Sequence, residues 1–175
     1  STIAGFRKKR IILTLHGGKL PEFYLQYSDR VKRVLNRAES VQTPSKYLQA
    51  FFEQQSIDIR YLPNSIDLSK FPYSRFSVKP KSLLWVRAFT DIYNPDLAVK
   101  ALFEIRKTFS DSTLTMIGPD KGLLGGIRKL IKQLDLQASV EIIGPIPNDV
   151  LYTYYQTHEV FLNTTSYESF GVAVM

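Results

Sequence analysis

The sequence predicts an α/β protein built on parallel, doubly wound sheets. Three observations carry that prediction. Apolar strand-like runs alternate with amphipathic helical runs along the whole 175-residue chain, which is the pattern of βαβ units. Several of the strand-like runs close on Gly-Gly or Gly-Pro pairs, where a chain leaves a strand for a loop. The composition is 44% hydrophobic and 22% charged, with 9 Gly and 9 Pro. That is an ordinary folded protein and excludes collagen-like, low-complexity and fully disordered chains.

Taken in order, Arg10–Leu15 is a strand that ends at His16-Gly17-Gly18. Pro21–Arg37 follows as a helix with proline at its start, and Phe23, Leu25, Tyr27, Val31, Val34 and Leu35 supply its apolar positions. Ser40–Thr43 is a short strand. Ser45–Gln55 is a helix in which Tyr47, Leu48, Phe51 and Phe52 share one face. Asp58–Leu62 is a strand and Pro63-Asn64-Ser65 a turn. Residues 66–81 lose periodicity and contain Pro72 and Pro80, so they form the best linker candidate. Ser82–Val86 is the next strand. Asn94–Phe109 is a helix with Pro95 in its first turn and a stripe of Leu97, Ala98, Ala101, Leu102 and Ile105. Leu114–Ile117 and Val140–Ile143 are strands on either side of a helix over Leu123–Leu134. Asn148 or Asp149 caps a helix through Tyr155, and Val160–Leu162 is the last strand. The polar loop Asn163–Ser169 then leads into the start of another helix.

Right-handed crossovers make such a sheet doubly wound, and its ligands bind outside the carboxyl ends of the strands. The segments just after each strand therefore hold the functional candidates: His16-Gly17-Gly18, Arg87, Gly118-Pro119, Gly144-Pro145-Ile146 and Thr164–Gly171.

The chain has no cysteine, which excludes disulfides, thiolate nucleophiles and cysteine-based zinc sites, and its two histidines are too few for a His-rich metal site. No apolar run approaches the ~18 residues of a membrane span. The basic stretch Phe6–Arg10 lacks the apolar segment of a signal peptide, so cytosolic residence is the default. The net charge of +7 is unevenly placed: residues 1–76 hold 13 basic and 6 acidic residues, whereas residues 77–175 hold 10 of each. The first part thus faces an anionic partner (a lipid surface, phosphate or nucleic acid) or is cut from a larger protein.

Each candidate has two readings. The loop Thr164–Gly171 follows a buried strand and opens a helix, where outward N–H groups and the macrodipole favour an anion. Gly171 admits a phosphate to the backbone, and Glu168 accepts hydrogen bonds from sugar hydroxyls; the alternative is a plain helix cap. Arg87 offers a fork of donors to a diphosphate, or it is a surface arginine paired with Asp91. His16 hydrogen-bonds a hydroxyl or phosphate beside two glycines that admit a substrate, or it is structural. His158 lies toward the opposite edge and has no role. Walker A, G-x-G-x-x-G, D-x-D, nucleophile-elbow and H-E-x-x-H motifs are all absent. The arginines between Arg30 and Arg37 read as one solvated helix face, and no nucleic-acid-binding module is present.

Together these loops resemble the family 4 glycosyltransferases. Pro63-Asn64-Ser65-Ile66-Asp67-Leu68-Ser69-Lys70-Phe71 is similar to their P-N-G-I-D-x-x-x-F crossover, and Phe161–Val172 to their S-x-x-E-x-F-G segment. Leu114–Asp120 and Val140–Gly144 fit the strands between, and His16-Gly17-Gly18 fits the histidine loop of the amino domain. The resemblance covers nearly the whole chain. It implies the GT-B fold of two Rossmann-like domains, with residues 1–76 the last part of the acceptor-side domain and residues 77–175 the first part of the donor-binding domain. It also implies retaining, metal-independent transfer of a sugar from a nucleotide-diphosphate sugar to a glycan or lipid-linked acceptor, with no cofactor.

By position in the family motifs, His16 would act near the reacting carbon and Glu168 would bind the donor sugar. Gly17 and Gly18 would approach the donor, Arg87 would bind its diphosphate, and Ile146 would lie at the nucleobase. Phe170, Gly171 and Val172 would present backbone N–H groups. The family's second motif glutamate falls one position past Met175. Its usual lysine after the arginine is missing, since residues 91–96 read Asp-Ile-Tyr-Asn-Pro-Asp, and Ser65 replaces the glycine of the crossover. The expectation is a fragment truncated at both ends and inactive alone. Its basic first part is positioned for peripheral contact with an acidic membrane, in the setting of cell-envelope polysaccharide synthesis. The competing expectation is a non-catalytic module that binds a nucleotide or anion.

Overall fold

The computed structural model describes residues 9–65, 67, 69, 77–168, 171, 173 and 174. They fall into two compact units, one comprising residues 1–66 and 167–172, the other residues 67–166 and 173–175. The sequence-based seam at residue 76 borders residues 70–76, which lie outside the described set. Every strand pair in both units is parallel, as the alternating pattern predicts.

In the first unit, β1 (Ile12–Thr14), β2 (Ser40–Thr43) and β3 (Arg60–Tyr61) form a sheet in that order, linked by α1 (Leu20–Leu35) and α2 (Lys46–Gln54). Pro21 sits in the first turn of α1, where its missing N–H costs nothing. The Ser45 hydroxyl caps α2 by accepting from Leu48 N at 3.3 Å. The buried Thr43 hydroxyl donates to Leu15 O at 2.8 Å and accepts from Ser45 N at 3.2 Å, tying the end of β2 to the end of β1 and to the helix that follows. Tyr24, Val31, Leu35, Phe52 and Ile59 form the core, with Tyr24 set edge-on to both Phe51 and Phe52.

The apolar positions expected for α1 are partly overturned. Phe23, Leu25 and Val34 are 50%, 69% and 44% exposed, while Tyr24 is buried. The buried positions Pro21, Tyr24, Val31 and Leu35 keep helical spacing and share one face, with Tyr24 against Phe51 and Phe52 of α2; the backbone at Tyr27 leaves helical geometry (φ −135°, ψ 42°) and kinks the helix within that face.

In the second unit, β4 (Lys79–Val86) is followed by a 3₁₀ turn (Asp91–Tyr93), α3 (Pro95–Arg106), β5 (Thr113–Ile117) and α4 (Leu124–Gln133). Then come β6 (Val140–Ile143), α5 (Asn148–Thr157) and β7 (His158–Phe161). The sheet order is β6-β5-β4-β7. Helices cover this sheet, so the inner strands are buried without alternation: Ser82–Trp85 and Leu114–Ile117 form unbroken buried runs. Trp85, Phe89, Ala98, Val99, Leu102, Leu114 and Met116 are completely or almost completely buried in one core.

Three sequence-based expectations are corrected here. β4 begins at Lys79, inside the stretch read as linker, because Lys79 pairs with His158 of β7; Lys81 adopts φ +56°, and the register with β7 shifts between Lys79 and Leu83. The Glu159 carboxylate accepts from Lys81 N at this irregularity. Neither Asn148 nor Asp149 caps α5: Pro147 stands at the cap, and the helix runs to Thr157. Among the described residues after Ser166 none is helical, and Gly171 has φ +69°, a left-handed conformation that does not propagate an α-helix. Among the described residues no helix is long and apolar enough to cross a membrane.

Candidate functional site

The second sheet places its candidate residues by topology. The chain steps from β4 to β5 to β6 in one direction, then crosses back to add β7 on the other side of β4. Strand order therefore reverses between β4 and β7, and it is outside the carboxyl ends of strands at such a switch point that doubly wound sheets hold ligands. Arg87 is the first residue after β4, and Asn163–Ser166 lie in the loop after β7.

The structure brings these two loops together at the Arg87 guanidinium. Its Nε donates to Thr165 Oγ1 at 3.3 Å, its Nη2 to Asn163 Oδ1 at 3.4 Å, and its Nη1 to Val86 O at 3.3 Å. Thr165 Oγ1 in turn donates to Asn163 Oδ1 at 2.7 Å. The guanidinium carbon lies 5.4 Å from the centroid of the Tyr93 ring, within cation–π range. Its charge also reaches Tyr155: burial pushes that phenol up while the Arg87 charge pulls it down, and the hydroxyl donates to Ala173 O at 3.1 Å.

A buried polar chain holds the loops. The Trp85 indole N–H donates to Thr164 Oγ1 at 2.9 Å, and that hydroxyl donates to Tyr93 O at 2.5 Å. Ser166 N donates to Ile92 O at 2.8 Å, and Asn94 Nδ2 donates to Thr164 O at 2.9 Å and Ser166 Oγ at 2.6 Å. Asn94 takes a left-handed conformation (φ +43°) to make this bridge before Pro95 opens α3.

On the other flank, Gly118 follows β5 with φ +150°, and a Cβ there would fall 1.9 Å from Arg87 O. Only glycine admits this approach of the β4 and β5 loops, which Arg87 N→Ile117 O (3.0 Å) and Phe89 N→Pro119 O (2.9 Å) then stitch together. Asp120 closes the second loop by accepting from Gly122 N at 2.7 Å and Leu124 N at 3.2 Å, and those bonds hold its carboxyl below the usual range.

The remaining candidates are placed as follows. Ile146 is half-buried in the loop between β6 and α5, at the same sheet edge as Arg87. His16, Gly17 and Gly18 follow β1 at the carboxyl edge of the first sheet, with His16 exposed; Leu20 N donates to Gly17 O at 3.0 Å. Neither Gly17 nor Gly18 has positive φ, so local backbone geometry does not require glycine at either position. Glu168 is exposed and Gly171 buried, and both group with the first unit. Phe170 and Val172 lie outside the described residues. His158, given no role from sequence, is a structural residue at the start of β7, with Nδ1 2.9 Å from Tyr154 O and Nε2 3.0 Å from Thr115 Oγ1.

Sequence reading missed Tyr93, Asn163 and Thr165 as partners of Arg87. The available signal was that all three lie in the segments that follow β4 and β7. The arrival of Asn163 and Thr165 depends on β7 crossing to the far side of β4.

Residues 69–175, well over half of the chain, match the family model described as glycosyl transferases group 1. No curated protein matches the chain in sequence. Among solved structures, the chain is similar to the pneumococcal O-GlcNAc transferase GtfA in complex with UDP and GlcNAc. Their identity is 19% and TM-score 0.74, over 95% of this chain and 35% of the other. It is similar to Anabaena HepE in complex with UDP and glucose, at 14% identity and TM-score 0.77, over 99% and 51% of the two chains. It is also similar to sucrose-phosphate synthase from Thermosynechococcus elongatus, at 19% identity and TM-score 0.73, over 97% and 48%. These likenesses establish the GT-B type of α/β fold. The chain spans about a third to a half of the length of these structures.

Proposed function

The chain belongs to the group 1 glycosyl transferases, and from that premise we propose that it forms part of a family 4 enzyme. Such an enzyme moves a sugar from a nucleotide-diphosphate sugar to a glycan or lipid-linked acceptor with retention of configuration. The observation that carries the reading is Arg87 at the β4/β7 switch point, held by Asn163, Thr165 and the Tyr93 ring. A guanidinium fixed there meets a diphosphate with two parallel donors and offsets leaving-group charge as the glycosidic bond to the donor breaks. Two of the similar structures hold UDP, which supports a uridine nucleotide as the first donor to test.

In this proposal residues 77–175 bind the donor, with Ile146 against the nucleobase. Residues 1–76 belong to the acceptor side. His16, with Gly17 and Gly18, faces the reacting carbon, Glu168 takes hydroxyls of the donor sugar, and Phe170, Gly171 and Val172 offer backbone N–H groups. No metal or cofactor is assigned a part. The excess charge of residues 1–76 supports peripheral contact with an anionic cytoplasmic membrane surface during synthesis of a cell-envelope polysaccharide.

The test is calorimetric titration of the chain with UDP, GDP and ADP. Arg87→Ala removes charge-assisted hydrogen bonds of about 1.5–3 kcal/mol and is expected to weaken the preferred diphosphate roughly 10- to 100-fold. Equal affinity in wild type and variant would remove the site assignment. A second reading, binding without turnover, is favoured by one observation: no lysine stands in Asp91–Asp96. Consumption of a nucleotide-sugar by the chain would rule it out.

A further inference from the structure

We infer that Tyr93 is a positioning residue for Arg87, and that its ring face orients the guanidinium that receives the donor diphosphate. The inference rests on the proposed donor site and assigns a role to a side chain that the family motifs leave without one. An arginine binds a diphosphate as a planar fork, so affinity depends on how firmly its plane is held before the ligand arrives. Along the edge of the Arg87 guanidinium, Nε, Nη1 and Nη2 donate to Thr165 Oγ1, Val86 O and Asn163 Oδ1 at 3.3, 3.3 and 3.4 Å. Such contacts lie along the edge of the guanidinium, whereas a ring set over it acts on the tilt of its plane. The Tyr93 ring lies over the guanidinium, with its centroid 5.4 Å from the guanidinium carbon.

Tyr93 is itself fixed well enough to serve this purpose. It ends the 3₁₀ turn, where Tyr93 N donates to Thr90 O at 3.1 Å. Its carbonyl accepts the Thr164 hydroxyl, which is also bound to the fully buried Trp85 indole. The ring packs, half-buried, against the core of the second unit. The orienting surface is thus tied to the central strand β4 through Trp85 and to the loop after β7 through Thr164. The same β7 loop carries Asn163 and Thr165, so the hydrogen-bonded edge of the guanidinium and the ring over it are both tied to that loop.

The contact that matters is with the ring face. The phenol oxygen is not required for it, which gives a direct test. Wild type, Tyr93→Phe and Tyr93→Leu are titrated with UDP and with uridine, and with GDP and guanosine where GDP binds more tightly. Tyr93→Phe keeps the π face and is expected to bind the diphosphate within about twofold of wild type. Tyr93→Leu removes the face and is expected to lose roughly three- to thirty-fold in diphosphate affinity, the range of a cation–π contact. Affinity for the nucleoside, which lacks the diphosphate, is expected to change less than twofold. Equal loss of nucleoside and diphosphate affinity in Tyr93→Leu would mean a general loosening of the site and overturn the inference. So would Tyr93→Leu binding UDP like wild type, or Tyr93→Phe losing as much as leucine. Failure of wild type to bind any diphosphate would overturn the donor-site reading and this inference with it.

Discussion

Replacing Gly118 by alanine is expected to destabilise the second unit by about 3 kcal/mol or more. An alanine Cβ at that position would lie 1.9 Å from Arg87 O, 2.7 Å from Arg87 C and 3.3 Å from Ala88 N. Heavy atoms rest about 3.5–4.0 Å apart, so the β4 and β5 loops must separate by roughly 1.5 Å. The atoms in the way are backbone, which no rotamer change can move aside. That separation breaks Arg87 N→Ile117 O and Phe89 N→Pro119 O, each worth about 0.5–1.5 kcal/mol. The φ of +150° at Gly118 adds strain of about 1–3 kcal/mol for an L-residue. For a unit of roughly 100 residues, each kcal/mol lowers Tm by about 4–8 °C, so Tm falls by about 12 °C or more. The assay is thermal and urea unfolding followed by circular dichroism, with wild type alongside. A Gly118→Ala chain that melts within about 3 °C of wild type would refute the close-approach account of this glycine.

Two further predictions concern the frame of the site. Thr164→Val keeps the side-chain shape but leaves the buried Trp85 indole N–H and the Tyr93 carbonyl without their partner; it is expected to cost about 1–3 kcal/mol, read as a lower urea midpoint at unchanged slope. Asp120, whose folded pKa lies below the ordinary 3.8 because Gly122 and Leu124 donate backbone N–H groups to it, stabilises the protein above that ordinary value. This contribution is lost as the pH falls through the lowered folded pKa. Asp120→Asn is therefore expected to flatten part of the loss in urea midpoint between pH 6 and pH 3, and an acid limb identical to that of wild type would contradict it.

Much of the architecture is legible in the sequence because it depends on short-range chemistry. Prolines in the first turns of α1 and α3, the Ser45 cap, and the apolar runs of β4 and β5 each act within a few residues of themselves. Placing Arg87 at the ligand edge follows from the same logic, since it is the first residue after a buried strand. The misreadings occur where a distant partner or an irregular backbone intervenes. In α1 it is Tyr24, and not Phe23 or Leu25, that meets Phe51 and Phe52 of α2; pairing of Lys79 with His158 carries β4 back past the irregularity at Lys81; and the left-handed Gly171 stands where a helix was expected.

The sequence by itself therefore determined the alternation of strands and helices, their parallel pairing and the set of loops at the carboxyl edges of the sheets. Hydrophobic period and local backbone preference fix these. Only the tertiary structure decided which loops meet. The sheet order β6-β5-β4-β7 puts the loop after β7 beside the one after β4, bringing Asn163 and Thr165 to Arg87 from 76 and 78 residues away. Such a meeting depends on how strands are ordered in space, and no local periodicity along the chain encodes that order.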